Sequence, residues 1–174
     1  MKRVKQFSQK IYALKALTRY NNKFKIINES VAEHSFFVAI LILKLHEVYN
    51  FDLEKALSMG LIHDIPELHL SDITYDVKKN FPKLKALILD AEKTIINEQY
   101  PVWSHLFNEL VVNIESVESM IVVLADVMSC MQYANTEIRL GNSGYMNNVL
   151  INSEKRIKKL EKKLKKYRRN KYAD

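Results

Sequence analysis

Only one cysteine, Cys130, occurs in this chain, which excludes an intrachain disulfide framework and fits a reducing compartment. Glycine and proline occur three times each in 174 residues, too little turn punctuation for long sheets. The longest apolar run, Phe36 to Leu43, stops at Lys44. That is far short of the roughly 20 residues a helix needs to cross a bilayer. The first ten residues, MKRVKQFSQK, carry charge but no apolar signal core follows them. These absences point to a cytoplasmic, all-α protein without a membrane partner. Its length suits one domain with a proper core.

Charge of one sign is also missing from most of the chain. From Lys155 onward eleven Lys/Arg face two acids, Glu161 and Asp174, whereas residues 1–154 hold 16 Lys/Arg against 18 Asp/Glu. The net +7 therefore resides in the C-terminal segment. The body is not a general nucleic-acid-binding surface, and any such contact is left to the basic tail.

What is present reads as helices. Val4, Phe7, Ile11, Leu14 and Leu17 recur at spacings of three and four, predicting a first helix over 4–17. Ser30 with Glu33 forms a capping-box pattern opening an apolar helix to about Tyr49. Asn50 or Asp52 can cap a helix over 53–63, which Pro66 then interrupts. Pro82 opens a helix over 82–99, Pro101 a short segment, and Ser116 a long helix to about Leu140. GNSGY, residues 141–145, is the clearest turn, and a last helix reaches about Arg169.

Two histidines and two aspartates stand out against this background. His34 falls in the first turn of the second helix, His63-Asp64 at the end of the third, and Asp126 inside the long helix after Ser116. Asp126 lies among Ile121, Val122, Val123, Leu124, Ala125, Val127 and Met128, so its carboxylate is expected to be buried at almost any rotation. A buried carboxylate costs several kcal/mol unless something pairs with it. A metal ion, an arginine partner or plain exposure would each offset that. Two imidazoles and two carboxylates suit one borderline divalent ion: Mn, Co, Fe, Ni or Zn. Four protein ligands on a six-coordinate ion would leave positions open for water and substrate.

The ordered set His34, His63-Asp64 and Asp126 resembles the H…HD…D pattern of HD-domain phosphohydrolases. Three longer words, ESVAEHSF, LIHDIPELHLSDI and LADVMSCMQYANTEIRLGN, are similar to segments of bacterial HD-domain 5′-deoxynucleotidases and their eukaryotic relatives. The similarity runs from about Ala13 to Gly144. It implies a single HD-domain bundle of about six to eight helices, with the catalytic domain over 1–150 and a basic amphipathic tail over 151–174. His34, His63, Asp64 and Asp126 would be the metal ligands. Glu67 would orient or deprotonate the attacking water. Asp72 would accept a bond from a sugar hydroxyl or assist the leaving oxygen. Arg19 would hold the phosphate in bidentate geometry, and Tyr20 would lie against the sugar.

The implied activity is hydrolysis of the 5′-phosphate of (deoxy)nucleoside monophosphates by a homodimer. The chain departs from those relatives on the sugar side. Tyr20 replaces a tryptophan, and Ile73-Thr74-Tyr75-Asp76 replaces a Pro-Thr-Pro segment. Two rivals stand beside this reading. One is an HD hydrolase of another small phosphate ester or a nucleoside polyphosphate, though no second basic cluster adjoins Arg19 in sequence. The other is a metal-stabilised binding protein acting through its basic tail. Taken singly, His34 could be a helix-start histidine, Asp72 an N-cap, and Cys130 a core residue rather than a nucleophile.

Overall fold

The computed structural model describes residues 1–112 and 115–169, so the last five residues of the tail lie outside the described ones. Among the described residues there are nine α-helices and no extended strand pairing beyond two isolated bridges. They are α1 (Lys2–Tyr12), α2 (Val31–His46), α3 (Leu53–Ile62), α4 (Glu67–Leu70), α5 (Tyr75–Asn80), α6 (Pro82–Gln99), α7 (Ser104–Val112), α8 (Val117–Arg139) and α9 (Gly144–Leu164). Short 3-10 turns at Ala13–Lys15, Pro101–Trp103 and Lys165–Tyr167 join or extend them. Seven of the nine are at least nine residues long, and α4 and α5 are short turns beside the site.

Three of the helix starts follow from side-chain caps. Ser30 and Glu33 make the reciprocal box, with Glu33 N–H donating to Ser30 Oγ at 3.1 Å and Ser30 N–H to Glu33 Oε2 at 2.7 Å. Asp52 accepts from the Lys55 amide at 3.0 Å, and Ser116 from the Ser119 amide at 3.2 Å. The first helix departs from expectation. Its α-helical part ends at Tyr12 and tightens into a 3-10 turn, and only Leu14 of the segment is buried. Phe7 instead lies edge-on to Tyr100 and Trp103 at the surface.

α2, α3, α8 and α9 build the main core around Val38, Ile42, Met59, Ile121, Leu124, Leu160 and Leu164. A second cluster, with Ile62, Ile65, Ile96 and Phe107, joins α3 to α6 and α7. A third, with Tyr20, Tyr133, Ala134 and Met146, seats the loop after the first helix on α8 and α9. α8 is long and apolar enough to cross a bilayer by length and composition. Here it is the central helix of the bundle, and most of it is buried against its neighbours. α9 passes residue 150 without a break, and Leu160 and Leu164 are integral to the main core.

Candidate metal centre

Three helices aim their chemistry at one point. The capping box sets the register of α2, so that His34 lies one turn in and is fully buried. Its Nδ1 meets Ser129 Oγ of α8 at 3.0 Å and also lies against Arg19 Nη1. His63 is the C-cap of α3 and folds back, its Nδ1–H donating to the Gly60 carbonyl at 2.7 Å. A carbonyl can only accept, so this bond keeps a proton on Nδ1 and makes Nε2 the nitrogen that faces the site. Both Nε2 atoms are buried without a hydrogen-bond partner.

Carboxylates surround these two nitrogens. Asp64 Oδ2 is 3.1 Å from His63 Nε2 and 3.7 Å from His34 Nε2, and Asp126 Oδ1 is 3.3 Å from His34 Nε2. One ligand atom each from His34, His63 and Asp64 lies within 4.8 Å of the others, a group able to hold a metal ion. Asp126 adjoins it from α8. Its side chain keeps 27% of its surface accessible, against the sequence expectation of complete burial, because it turns from the core toward the open side of this group. Among the described residues it forms no ion pair with a lysine or arginine.

The four groups shift one another's ionisation. Burial and the Arg19 charge depress His34 to about 4. Burial also works against charging His63, but Asp64 and Asp126 overcome it and raise His63 to about 9. Asp64 and Asp126 are only partly buried; that burial opposes their charge, yet the imidazoles and Arg19 hold both well below the usual carboxylate range. Two partnerless imidazole nitrogens beside two carboxylates fit a borderline divalent ion by donor type. An arginine partner, the ordinary way to offset a buried acid, does not serve Asp126 directly.

The remaining candidates ring this group. Glu67 opens α4, its Oε2 buried and unpartnered. Burial, with Asp64 and Asp72 nearby, pushes its pKa well above the ordinary value. Asp72 accepts the Tyr20 N–H at 2.6 Å, so it clasps the Arg19 loop instead of capping α5. Tyr20 and Ser71, on the two sides of this clasp, both have positive φ, 53° and 64°. Non-glycine residues adopt that geometry only where their surroundings hold them in it. Asn21 Nδ2 donates across the same seam to Ser71 Oγ at 3.1 Å.

Arg19 is buried, with Nη1 3.2 Å from Glu29 Oε2 and Nη2 donating to Cys130 Sγ at 3.3 Å. The Tyr20 ring stacks on Tyr133 with centroids 5.2 Å apart and planes 6° from parallel, and only 7% of the residue is exposed. Tyr20 therefore presents little more than an edge to any ligand.

Several residues here escaped the sequence reading. Glu29, Ser129 and Lys78 have no spacing that marks them. Lys78 Nζ lies 3.4 Å from Glu92 Oε1, and its charge acts on Glu67 and Asp64. Cys130 is half-buried between Arg19 and Asp126 instead of lying within the apolar core, and burial lifts its thiol to about 11. The buried Glu137 was signalled only as part of the word resembling the deoxynucleotidases.

The bundle and its His/Asp group define a metal-dependent HD-domain phosphohydrolase. Over residues 6–173 the chain matches the 5′-deoxynucleotidase YfbR-like family, and it belongs to that family. Its fold is shared by a protein from Pyrococcus horikoshii (28% identity, 91% of this chain and 94% of that one, TM-score 0.75). It is shared as well by a conserved hypothetical protein from Pyrococcus furiosus (25% identity, 92% and 98%, TM-score 0.70). An HD-domain phosphohydrolase from Listeria innocua has the same fold (22% identity, 93% and 84%, TM-score 0.78). No curated protein matches the chain.

Proposed function

We propose that the protein hydrolyses the 5′-phosphate of (deoxy)nucleoside monophosphates to nucleoside and phosphate. The observation that carries this reading is the pair of buried, partnerless Nε2 atoms of His34 and His63 facing Asp64 and Asp126. Those four side chains would hold one divalent ion, Mn, Co, Fe, Ni or Zn by donor type. When bound, the ion supplies charge to the phosphate and acidifies water.

The chain's residues do the rest. Arg19 neutralises non-bridging phosphate oxygens, its guanidinium aimed by Glu29 and Cys130. Glu67 takes a proton from the attacking water as its oxygen bonds to phosphorus and the bond from phosphorus to the 5′-oxygen breaks. The raised affinity of Glu67 for that proton lets it hold the proton and return it to the departing 5′-oxygen. Asp72 has one oxygen bound to the Tyr20 amide, which leaves the other to accept from the sugar 3′-hydroxyl. With the Tyr20 ring stacked away on Tyr133, sugar choice falls to its edge and to the loop after Asp72.

A nucleoside polyphosphate is disfavoured because the cations around Arg19 are already engaged. Lys23 pairs with Asp76 at 2.7 Å, Lys25 donates to the Arg19 carbonyl at 2.7 Å, and Lys78 pairs with Glu92. The single thiol supports a cytoplasmic setting. Exposed Phe36, Ile40 and Leu43, one stripe of α2, offer a face for a homodimer.

Phosphate release from a panel of ribo- and deoxynucleoside mono- and triphosphates, each with Mn, Co, Zn and Mg, tests the reading. Selective turnover of 5′-monophosphates is expected. Inertness toward every monophosphate with all four metals would refute it, while a preference for ribonucleotides would remove only the deoxy part.

A further inference from the structure

The charge segregation of the sequence becomes a surface in the fold. Ten Lys/Arg stand between Lys155 and Arg169 against one acid, Glu161, and all ten side chains are exposed. Ile157, Leu160, Leu164 and Tyr167 turn the other way, into the main core. Arg169 N–H donates to the Val48 carbonyl at 2.9 Å, which pins the end of the segment to the body. The basic residues are thus held on a docked helix and not on a free arm. Among the described residues none of the ten forms an ion pair with a carboxylate.

Helix stability does not account for this density. One or two cations in the last turn suffice to complement a helix dipole. Lys155–Lys159, Lys158–Lys162 and Lys159–Lys163 are like-charged neighbours four apart, and each such pair opposes the helix. The repulsion would be relieved by a polyanion laid along the face. Outward positions from Glu154 to Arg169 are all charged, with no apolar or aromatic side chain to enter a bilayer. From Lys155 to Lys166 the helix and the turn that extends it span about 16 Å, a length along which duplex nucleic acid carries about ten phosphate charges.

We propose that this face binds the phosphate backbone of nucleic acid without reading sequence, independently of the hydrolytic site. Residues 1–154 carry a net charge of −2, so the contact is confined to α9 and the turn after it. If five phosphates are engaged, affinity should fall about 500-fold between about 50 and 200 mM salt.

The test is fluorescence anisotropy with labelled DNA and RNA duplexes of about 20 base pairs, on the full chain. The variant K155E/K159E/K162E/K166E should bind about 100-fold more weakly or worse, with a shallower salt dependence, while phosphate release and melting temperature stay unchanged. K2E/K5E/K83E/K85E alters net charge equally at exposed lysines elsewhere and should bind within a few-fold of wild type. Should the first variant lose stability, the same four positions changed to glutamine provide the comparison. Equal weakening by both variants, salt-independent binding, or binding only to phosphatidylserine vesicles and not to nucleic acid would overturn the proposal.

Discussion

Replacing Glu137 by glutamine should loosen the loop that carries Arg19, although residue 137 is not among the candidate site residues. Glu137 is fully buried on α8. Its Oε1 accepts the Ile26 and Ile27 amides at 3.1 and 2.6 Å, and its Oε2 accepts the Ile26 amide at 2.9 Å and Asn142 Nδ2 at 2.6 Å. Both oxygens are fully used as acceptors. Glutamine turns one of them into a donor facing donors. Asn142 could turn its amide to accept, but would then abandon the Phe24 carbonyl, to which it donates at 3.1 Å. Either way a buried polar group loses its partner and a charge-assisted bond is weakened, a combined cost of about 3 kcal/mol.

For a domain of this size, that corresponds to a fall in melting temperature of about 6–12 °C. The effect is pH-dependent. Burial opposes the charge of Glu137, but the bonds from Asn142, Ile26 and Ile27 prevail, so its folded pKa lies below its usual value. Its contribution is therefore present above the unfolded carboxylate pKa of about 4.3 and disappears as pH falls through the lower folded value. Thermal melts of wild type and Glu137→Gln should differ most near neutrality and converge in acid. KM for a nucleotide substrate should rise in the variant, since Arg19 loses the anchorage of its loop. A melting temperature within about 1 °C of wild type at pH 7 would refute the clamp.

Three further outcomes are expected. Asp126→Ala should abolish stoichiometric metal by elemental analysis, whereas Glu67→Gln should retain the metal and lose turnover by two or more orders of magnitude, about the range of a general base. Gly60→Ala should cost about 1–3 kcal/mol in chemical denaturation, because an added Cβ overlaps Ile42 Cδ1 where α3 crosses α2. The carbonyl of the same glycine accepts from His63 Nδ1. Chelation should destabilise the wild type by an amount that grows with the metal concentration removed, about 2.7 kcal/mol at a hundredfold excess over Kd, seen as a melting temperature about 5–11 °C lower. The same treatment should leave Asp126→Ala unmoved.

Much of the architecture was legible along the chain, because helix starts are local chemistry. Ser30 with Glu33, Asp52, Pro82 and Ser116 each announce a boundary within a few residues of their own position. The first α-helix stops short of its apolar pattern because that spacing finds little to pack against, and a pattern does not reveal whether a partner exists. His34, His63, Asp64 and Asp126 could be nominated as a set, since uncommon side chains interrupt apolar runs at those points. Glu29, Ser129 and Lys78 could not, because nothing about a serine or a surface-type charge in sequence says which neighbour it will meet.

By itself the sequence determined an all-α chain, its caps, the acids and imidazoles able to bind an ion, and the concentration of positive charge after residue 154. Each of these depends on residue type and short-range spacing. How they are used depends on contacts made in three dimensions. The Gly60 carbonyl fixes which His63 nitrogen is free, the Tyr20 amide takes one oxygen of Asp72, and Tyr133 covers the ring expected to face the sugar. The basic tail is anchored by Leu160 and Leu164 in a core made mostly by other helices. These outcomes depend on contacts between residues far apart in the chain, and a hydrogen-bond donor's direction or a ring's covered face exists only once those partners have met.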